Sequence, residues 1–146
     1  MYFDDLEVGQ SFRAEPATLS EEAIIAFARE WDPQPFHIDP EAASQTHFGG
    51  LIASGFQTML TAFKSTLALA PFAKASMGSP GMEDVRWIKP VRPGETLTTE
   101  VEVAALRPSA SRSDRGYAVL DHRIVNQSGD LVMTYRSNVI FARRPG

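Results

Sequence analysis

Apolar and polar positions follow two rhythms along this chain, and the change falls between residues 78 and 81, at "GSPG". Upstream, apolar residues recur at helical spacing. Ile24, Phe27 and Ala28 share one face of a helix that ends near Trp31, because Pro33 disfavours helical geometry at Asp32 and cannot donate a backbone bond itself. Thr18 with Glu21 fits a capping box for its start, and Ser20 is an alternative N-cap. Asp39 and Pro40 have the chemistry of an N-cap and first helical residue for a further short turn. Residues 52–69 carry Ile52, Phe56, Met59, Leu60, Phe63 and Leu67 in one stripe, with Lys64 as the only charge. This segment reads as the longest helix, buried over most of its surface.

Downstream the period becomes two. Residues 82–90, 95–106, 116–126 and 130–142 read as strands, with Leu97, Thr99, Val101, Val103 and Ala105 on one face of the second. The connections "RPGE", "RPSASRSDRG" and "QSGD" read as hairpin turns, which makes the sheet antiparallel. A turn at Gly9 and a short strand precede all of this. The order is strand, helices, then a strand meander. It predicts an α+β fold in which a long central helix is wrapped by a strongly curved antiparallel sheet. A hotdog fold answers that description, as do other α+β sandwiches.

Composition narrows the function. The chain has 146 residues, which suits a single domain spanning 1–146 with a core that needs no staples. A net charge of −4 gives no electrostatic footprint for nucleic acid. The absence of cysteine excludes disulfides, thiolate metal sites and a cysteine nucleophile. His37, His47 and His122 lack metal-ligand spacing, so no metal is expected. No stretch reaches the roughly 18 apolar residues of a membrane span. The first ten residues have no secretory pattern, and a cytoplasmic location is expected.

The chemistry concentrates in "WDPQPFHID", Trp31–Asp39. Asp32 and His37 have reference pKa values of ~3.9 and ~6.5, which straddle the range useful for acid–base work near neutrality. Pro33 and Pro35 stiffen the loop between them, and preorganisation of that kind is what positioning a water molecule requires. The same residues also fit a turn opener and a packed loop histidine. A second feature, "FGGLIASGF", puts Gly55 in the first turn of the longest helix. Its N–H there can meet a ligand oxygen, with the helix N-terminus adding positive partial charge. A glycine that only permits close packing fits the position as well.

Together, "DPQPFHIDPEAA", "FGGLIASGF" and the later "VRWIKPVRPGETL" resemble the MaoC-like dehydratases, or (R)-specific enoyl-CoA hydratases. The family motif (Asp, Asn two positions on, Pro, any residue, His, any residue, Asp, Pro) falls on Asp32, Gln34, Pro35, Phe36, His37, Ile38, Asp39 and Pro40. The resemblance implies a hotdog fold, with Asp32 and His37 as the catalytic pair and the Gly55 N–H as thioester oxyanion donor. It implies hydration of a trans-2-enoyl-CoA to a 3-hydroxyacyl-CoA without metal or redox cofactor. It also implies a homodimer, or a higher assembly of dimers, with sites at the interface. Three positions depart from the pattern: Gln34 replaces the usual Asn, Ser54 stands where many relatives have His, and Trp31 replaces a small residue. A hotdog thioesterase and a non-catalytic acyl-CoA-binding protein are the alternatives. His47 and His122 read as ordinary loop and strand residues. Arg86, Lys89 and Arg92 read as a solvated strand face or as contacts for CoA phosphates.

Overall fold

The computed structural model describes residues 1–146. The N-terminal segment forms a single 3-10 turn (Phe3–Asp5) and two short strands, β1 (Ser11–Arg13) and β2 (Ala17–Thr18). Helix α1 spans Glu21–Trp31. Its N-cap is Ser20, whose Oγ accepts from the Ala23 N–H at 3.1 Å, so the Thr18 capping box does not form. A cap of this type contributes roughly 1 kcal/mol. Two short helices follow, α2 (Pro35–Ile38) and α3 (Pro40–Ser44), each opened by a proline whose missing N–H costs nothing at that position. Asp39 caps α3 as expected, accepting from Glu41 and Ala42 at 3.0 and 3.2 Å.

The expected 52–69 helix is shorter in the structure. Helix α4 spans only Gly55–Thr66, and α5 (Ala70–Ala75) follows as a separate helix opened by Pro71. Residues 51–54 are not helical because their backbone is used elsewhere: Ile52 N–H donates to Phe36 and Ala53 N–H to Val91. The burial of α4 is also reversed from expectation. Thr58, Ala62 and Thr66 form its buried face. Phe56, Leu60, Phe63 and Leu67, the core of the apolar stripe, are 57%, 49%, 45% and 44% exposed.

Strands β3 (Gly81–Trp87), β4 (Thr96–Pro108), β5 (Arg115–Val125) and β6 (Leu131–Ala142) complete the antiparallel sheet. Its order is β1-β4-β5-β6-β3, with β2 also on β4. This corrects two expectations. "RPGE" is not a hairpin, since β3 crosses to pair with β6 rather than β4. The sheet does not wrap a long central helix either: it is open, with β3 at one edge, and is neither closed nor strongly curled. The result is a hotdog-like α+β fold of several short helices and strands. A bulge between Val103 and Ala105 breaks the alternation of β4. It leaves Val101 and Val103 buried but turns Ala105 out.

The core has two parts. One joins Ile24 of α1 and Ala62 of α4 to Leu97, Ile124, Val132 and Met133 of the sheet and carries the elements around Asp32. The other gathers Phe141, Val101, Val103 and Leu120 under α5 and the N-terminal turn. At Gly116, a Cβ would fall 2.5 Å from the Phe3 ring, which makes glycine necessary where that turn meets β5. No helix is long and apolar enough to cross a membrane.

Candidate active site

Asp32 and His37 reach one another through a helix end and a helical turn. Asp32 is the C-cap of α1, its N–H closing the last turn on Ala28. Pro33 prevents further helix, the Gln34 N–H donates to the Asp32 carbonyl at 2.7 Å, and Pro35 starts α2, which carries His37. His37 is 4% exposed. Its Nδ1 lies 2.7 Å from the Ile52 carbonyl oxygen. A carbonyl only accepts, so Nδ1 carries the hydrogen and Nε2 is left as the ring's working atom. That Nε2 is 3.3 Å from Asp32 Oδ2. Phe36 meets the imidazole edge-on at 4.5 Å between centroids and completes its seat.

The carboxylate is held from both sides. Gln34 Nε2 donates to Oδ1 at 2.7 Å, and Ser54 Oγ donates to Oδ2 at 2.8 Å. Partial burial pushes the Asp32 pKa up, but the Gln34 and Ser54 hydrogen bonds and the nearby His37 outweigh it. The net result is a carboxyl below its ordinary value, ionised at neutral pH. Two of the three departures from the family pattern, Gln34 and Ser54, therefore act on Asp32.

Gly55 opens α4 beside this pair. As the first helical residue it has no intrahelical acceptor for its N–H. Its lack of a side chain has a second cause: a Cβ would sit 2.6 Å from Trp87 Nε1. The Trp87 indole N–H donates to the Gly55 carbonyl at 2.8 Å, tying the end of β3 to the start of α4. Trp87 was not identified from the sequence. It lies 32 residues from Gly55, and no local pattern links them.

Asp32, Gln34, His37, Gly55 and Trp87 border one cleft of about 380 Å3, with Ser54 buried behind it. Asp32, Gln34, His37 and Gly55 form its polar part, and Phe56, Trp87 and Ile88 contribute apolar wall. Lys89 is at the cleft but pairs with Asp130 at 2.8 Å. Arg92 donates to the Phe48 carbonyl at 2.6 Å. No group of three or more His, Cys, Asp or Glu side chains is arranged to hold a metal ion. A larger cleft on the sheet's outer face is a ladder of paired charges, including Arg136 with Asp121 at 2.7 Å and Arg13 with Glu100 at 4.0 Å. It brings no free acid–base pair together.

The MaoC like domain family matches residues 5–121. The chain is similar to the crystal structure of a MaoC-like dehydratase from Rhodospirillum rubrum, at 37% identity and a TM-score of 0.92, covering 100% of this chain and 99% of that one. It is 32% identical to an (R)-specific enoyl-CoA hydratase from Aeromonas caviae, over 92% of this chain and 94% of the relative. It is 31% identical to a 3-hydroxybutyryl-CoA dehydratase from Methylorubrum extorquens, over 77% of this chain and 70% of the relative. A match of this extent, on a chain that brings the motif residues into one cleft, means that the protein belongs to the MaoC-like dehydratase family.

Proposed function

We propose that the protein is a hydratase/dehydratase that interconverts a trans-2-enoyl-CoA and a 3-hydroxyacyl-CoA, with Asp32 and His37 as the catalytic pair. One observation carries this reading. The His37 tautomer is set by Ile52, so its Nε2 faces an ionised Asp32 oxygen at 3.3 Å within a cleft that Gly55 also borders. With a neutral imidazole, both facing atoms are acceptors. A water that donates one hydrogen to each relieves their repulsion and turns its oxygen lone pair toward the cleft.

In the hydration direction that oxygen adds to the β-carbon of the enoyl group. One water proton passes to the Asp32–His37 pair as the C–O bond forms, and the pair delivers a proton to the α-carbon. The two transfers balance the addition of water and leave the pair as it began. Charge that builds on the thioester oxygen during attack is stabilised by the Gly55 N–H and the N-terminal end of α4. Preorganisation matters because neither acceptor has to move: Gln34 and Ser54 hold Asp32, and Ile52 holds His37.

We also read the active form as a homodimer. Phe56, Leu60 and Phe63 of α4, with Leu67 at its C-cap, form an exposed apolar stripe, and every residue of β3 is exposed. An open edge strand beside an apolar face is a surface that a second copy covers.

The catalytic reading is tested by following the absorbance of short enoyl-CoA substrates. Asp32→Asn and His37→Ala should each lower kcat/KM by roughly 100-fold or more. Full activity in both variants would sink the assignment.

A further inference from the structure

The loop that joins α3 to α4, residues 45–54, decides how His37 is seated, and it has no regular structure. Its Ile52 carbonyl accepts from His37 Nδ1, and its Phe48 borders the catalytic cleft. The Phe48 ring packs on Phe36 at 5.2 Å between centroids, and Phe36 packs on the imidazole at 4.5 Å. The loop therefore shuts His37 in through one hydrogen bond and one run of rings.

This loop is poorly built to hold itself. Gly49 and Gly50 are consecutive, and Gly49 has a φ of +69°. Paired glycines leave the backbone free to swing where it must be fixed. Two bonds from outside secure the loop on either side of them. The Ala53 N–H donates to the Val91 carbonyl at 2.8 Å, and Arg92 Nη2 donates to the Phe48 carbonyl at 2.6 Å. Arg92 Nη1 also lies 3.5 Å from where a Gly50 Cβ would stand, so the guanidinium rests against the second glycine. Arg92 is itself anchored, its N–H donating to Glu95 Oε2 at 2.7 Å. One clamp is backbone, and the other depends on a single side chain.

From sequence, Arg92 reads as a solvated strand residue or a contact for CoA phosphates. Its place in the fold gives it another task. Resting on the hydratase reading above, we propose that Arg92 is a positioning residue for the reaction. Its bond to Phe48 keeps the 45–54 loop closed on Phe36 and His37.

The chemistry suits the residue. A charged guanidinium bonds a carbonyl more strongly than a neutral donor does, and its planar fork loses less freedom in doing so than an ammonium. Without this bond the Phe48 end of the loop swings on the two glycines. Phe48 then leaves Phe36, water reaches the imidazole, and one wall of the cleft moves. Displacements of about 1 Å around reacting groups can lower a rate by as much as ~100-fold. Arg92 acts in this way through the loop and touches no reacting atom.

The test uses Arg92→Ala. Arg92 is exposed, so its truncation leaves the core intact and thermal unfolding cooperative. In the variant kcat should fall about tenfold, the value of one hydrogen bond from a charged donor. The fall should be the same with a short trans-2-enoyl-CoA and with the matching enoyl-pantetheine, which carries no phosphate. A loss confined to the CoA substrate is what a phosphate contact predicts and would overturn the proposal. So would an unchanged kcat. A second readout does not depend on turnover. The His37 Nδ1–H proton, sheltered in the wild type, should exchange with solvent at least about tenfold faster in Arg92→Ala when followed by NMR. Equal protection in the two proteins removes the proposal even if kcat falls. If the wild type hydrates neither thioester, the hydratase reading fails separately, and the protection of His37 alone decides whether Arg92 closes the loop.

Discussion

Ser54 Oγ donates to Asp32 Oδ2 at 2.8 Å, on the same oxygen that faces His37. Ser54 is wholly buried and stands as the N-cap residue of α4, yet its side chain makes no cap hydrogen bond. It serves the carboxylate instead. With Gln34 on the other oxygen, it gives Asp32 a donor on each side and helps bring the carboxyl below its ordinary value.

The pH profile should report this. An Asp whose folded pKa is depressed stays ionised until the pH falls through that lowered value. Removing a donor from the ionised form raises the pKa again. In Ser54→Ala and Gln34→Ala, the acidic limb of kcat/KM should therefore move to higher pH than in the wild type. Profiles measured with one enoyl-CoA from pH 4 upward would check this. An unmoved limb in both variants would mean that these bonds do not set the ionisation of Asp32.

Gly55→Ala should damage both stability and turnover. The new Cβ would meet the Trp87 indole at 2.6 Å, closer than packed atoms tolerate, so the ring must move and its bond to the Gly55 carbonyl is strained or lost. Overpacking of this kind costs roughly 1–3 kcal/mol. Urea unfolding reads the stability, and kcat reads the disturbance of the N–H beside the cleft. Unchanged values for both would show that Trp87 yields freely.

His122 gives the fold a pH dependence of its own. Burial pushes its pKa down from 6.5 to about 4, only partly opposed by Asp121. The unfolded chain takes up a proton near pH 6.5, while the folded protein resists until about pH 4. Stability is thus fully present above about pH 6.5 and falls as the pH drops toward 4, by ~3 kcal/mol from this one group. Urea titrations across that window should show the loss, and His122→Gln should flatten it.

Leu60→Glu should leave the protein monomeric. Leu60 is central to the exposed stripe of α4 and 49% exposed in the single chain, so a charge there costs the monomer little but is buried without a partner in a dimer. Light scattering coupled to size exclusion gives the mass directly. A dimer that persists in the variant would move the interface off this helix.

Much of the site was legible in the sequence because its decisive signals are local. Pro33 and Pro35 bracket the end of α1 and the start of α2, Asp39 and Pro40 open α3, and a glycine opens α4. Spacing along the chain is enough to recognise such features. The long-range partners were not legible. Nothing near residue 55 calls for Trp87, and nothing near residue 37 names the Ile52 carbonyl. His122 looked like an ordinary strand residue until β6 set Tyr135 and Ser137 against it.

The helix read as the longest shows where local pattern stops. Its apolar stripe is real, but periodicity reports only that a face is apolar and not what covers it. Ile52 and Ala53 were counted into the helix, while their N–H groups are committed to Phe36 and Val91 across the fold. The small face of Thr58, Ala62 and Thr66 packs inward because α4 lies close to the sheet, and the large residues are left outside. The sequence by itself determined the α+β class and the antiparallel strands, which rest on short-range sterics, capping and period, and its resemblance to the family motif set Asp32, His37 and Gly55 apart. Only the tertiary structure decided the strand order, the open sheet, the outward face of α4 and the donors that hold Asp32. Those depend on which distant backbone and side-chain groups remain unpaired after local structure has formed, and that is settled only when the elements pack.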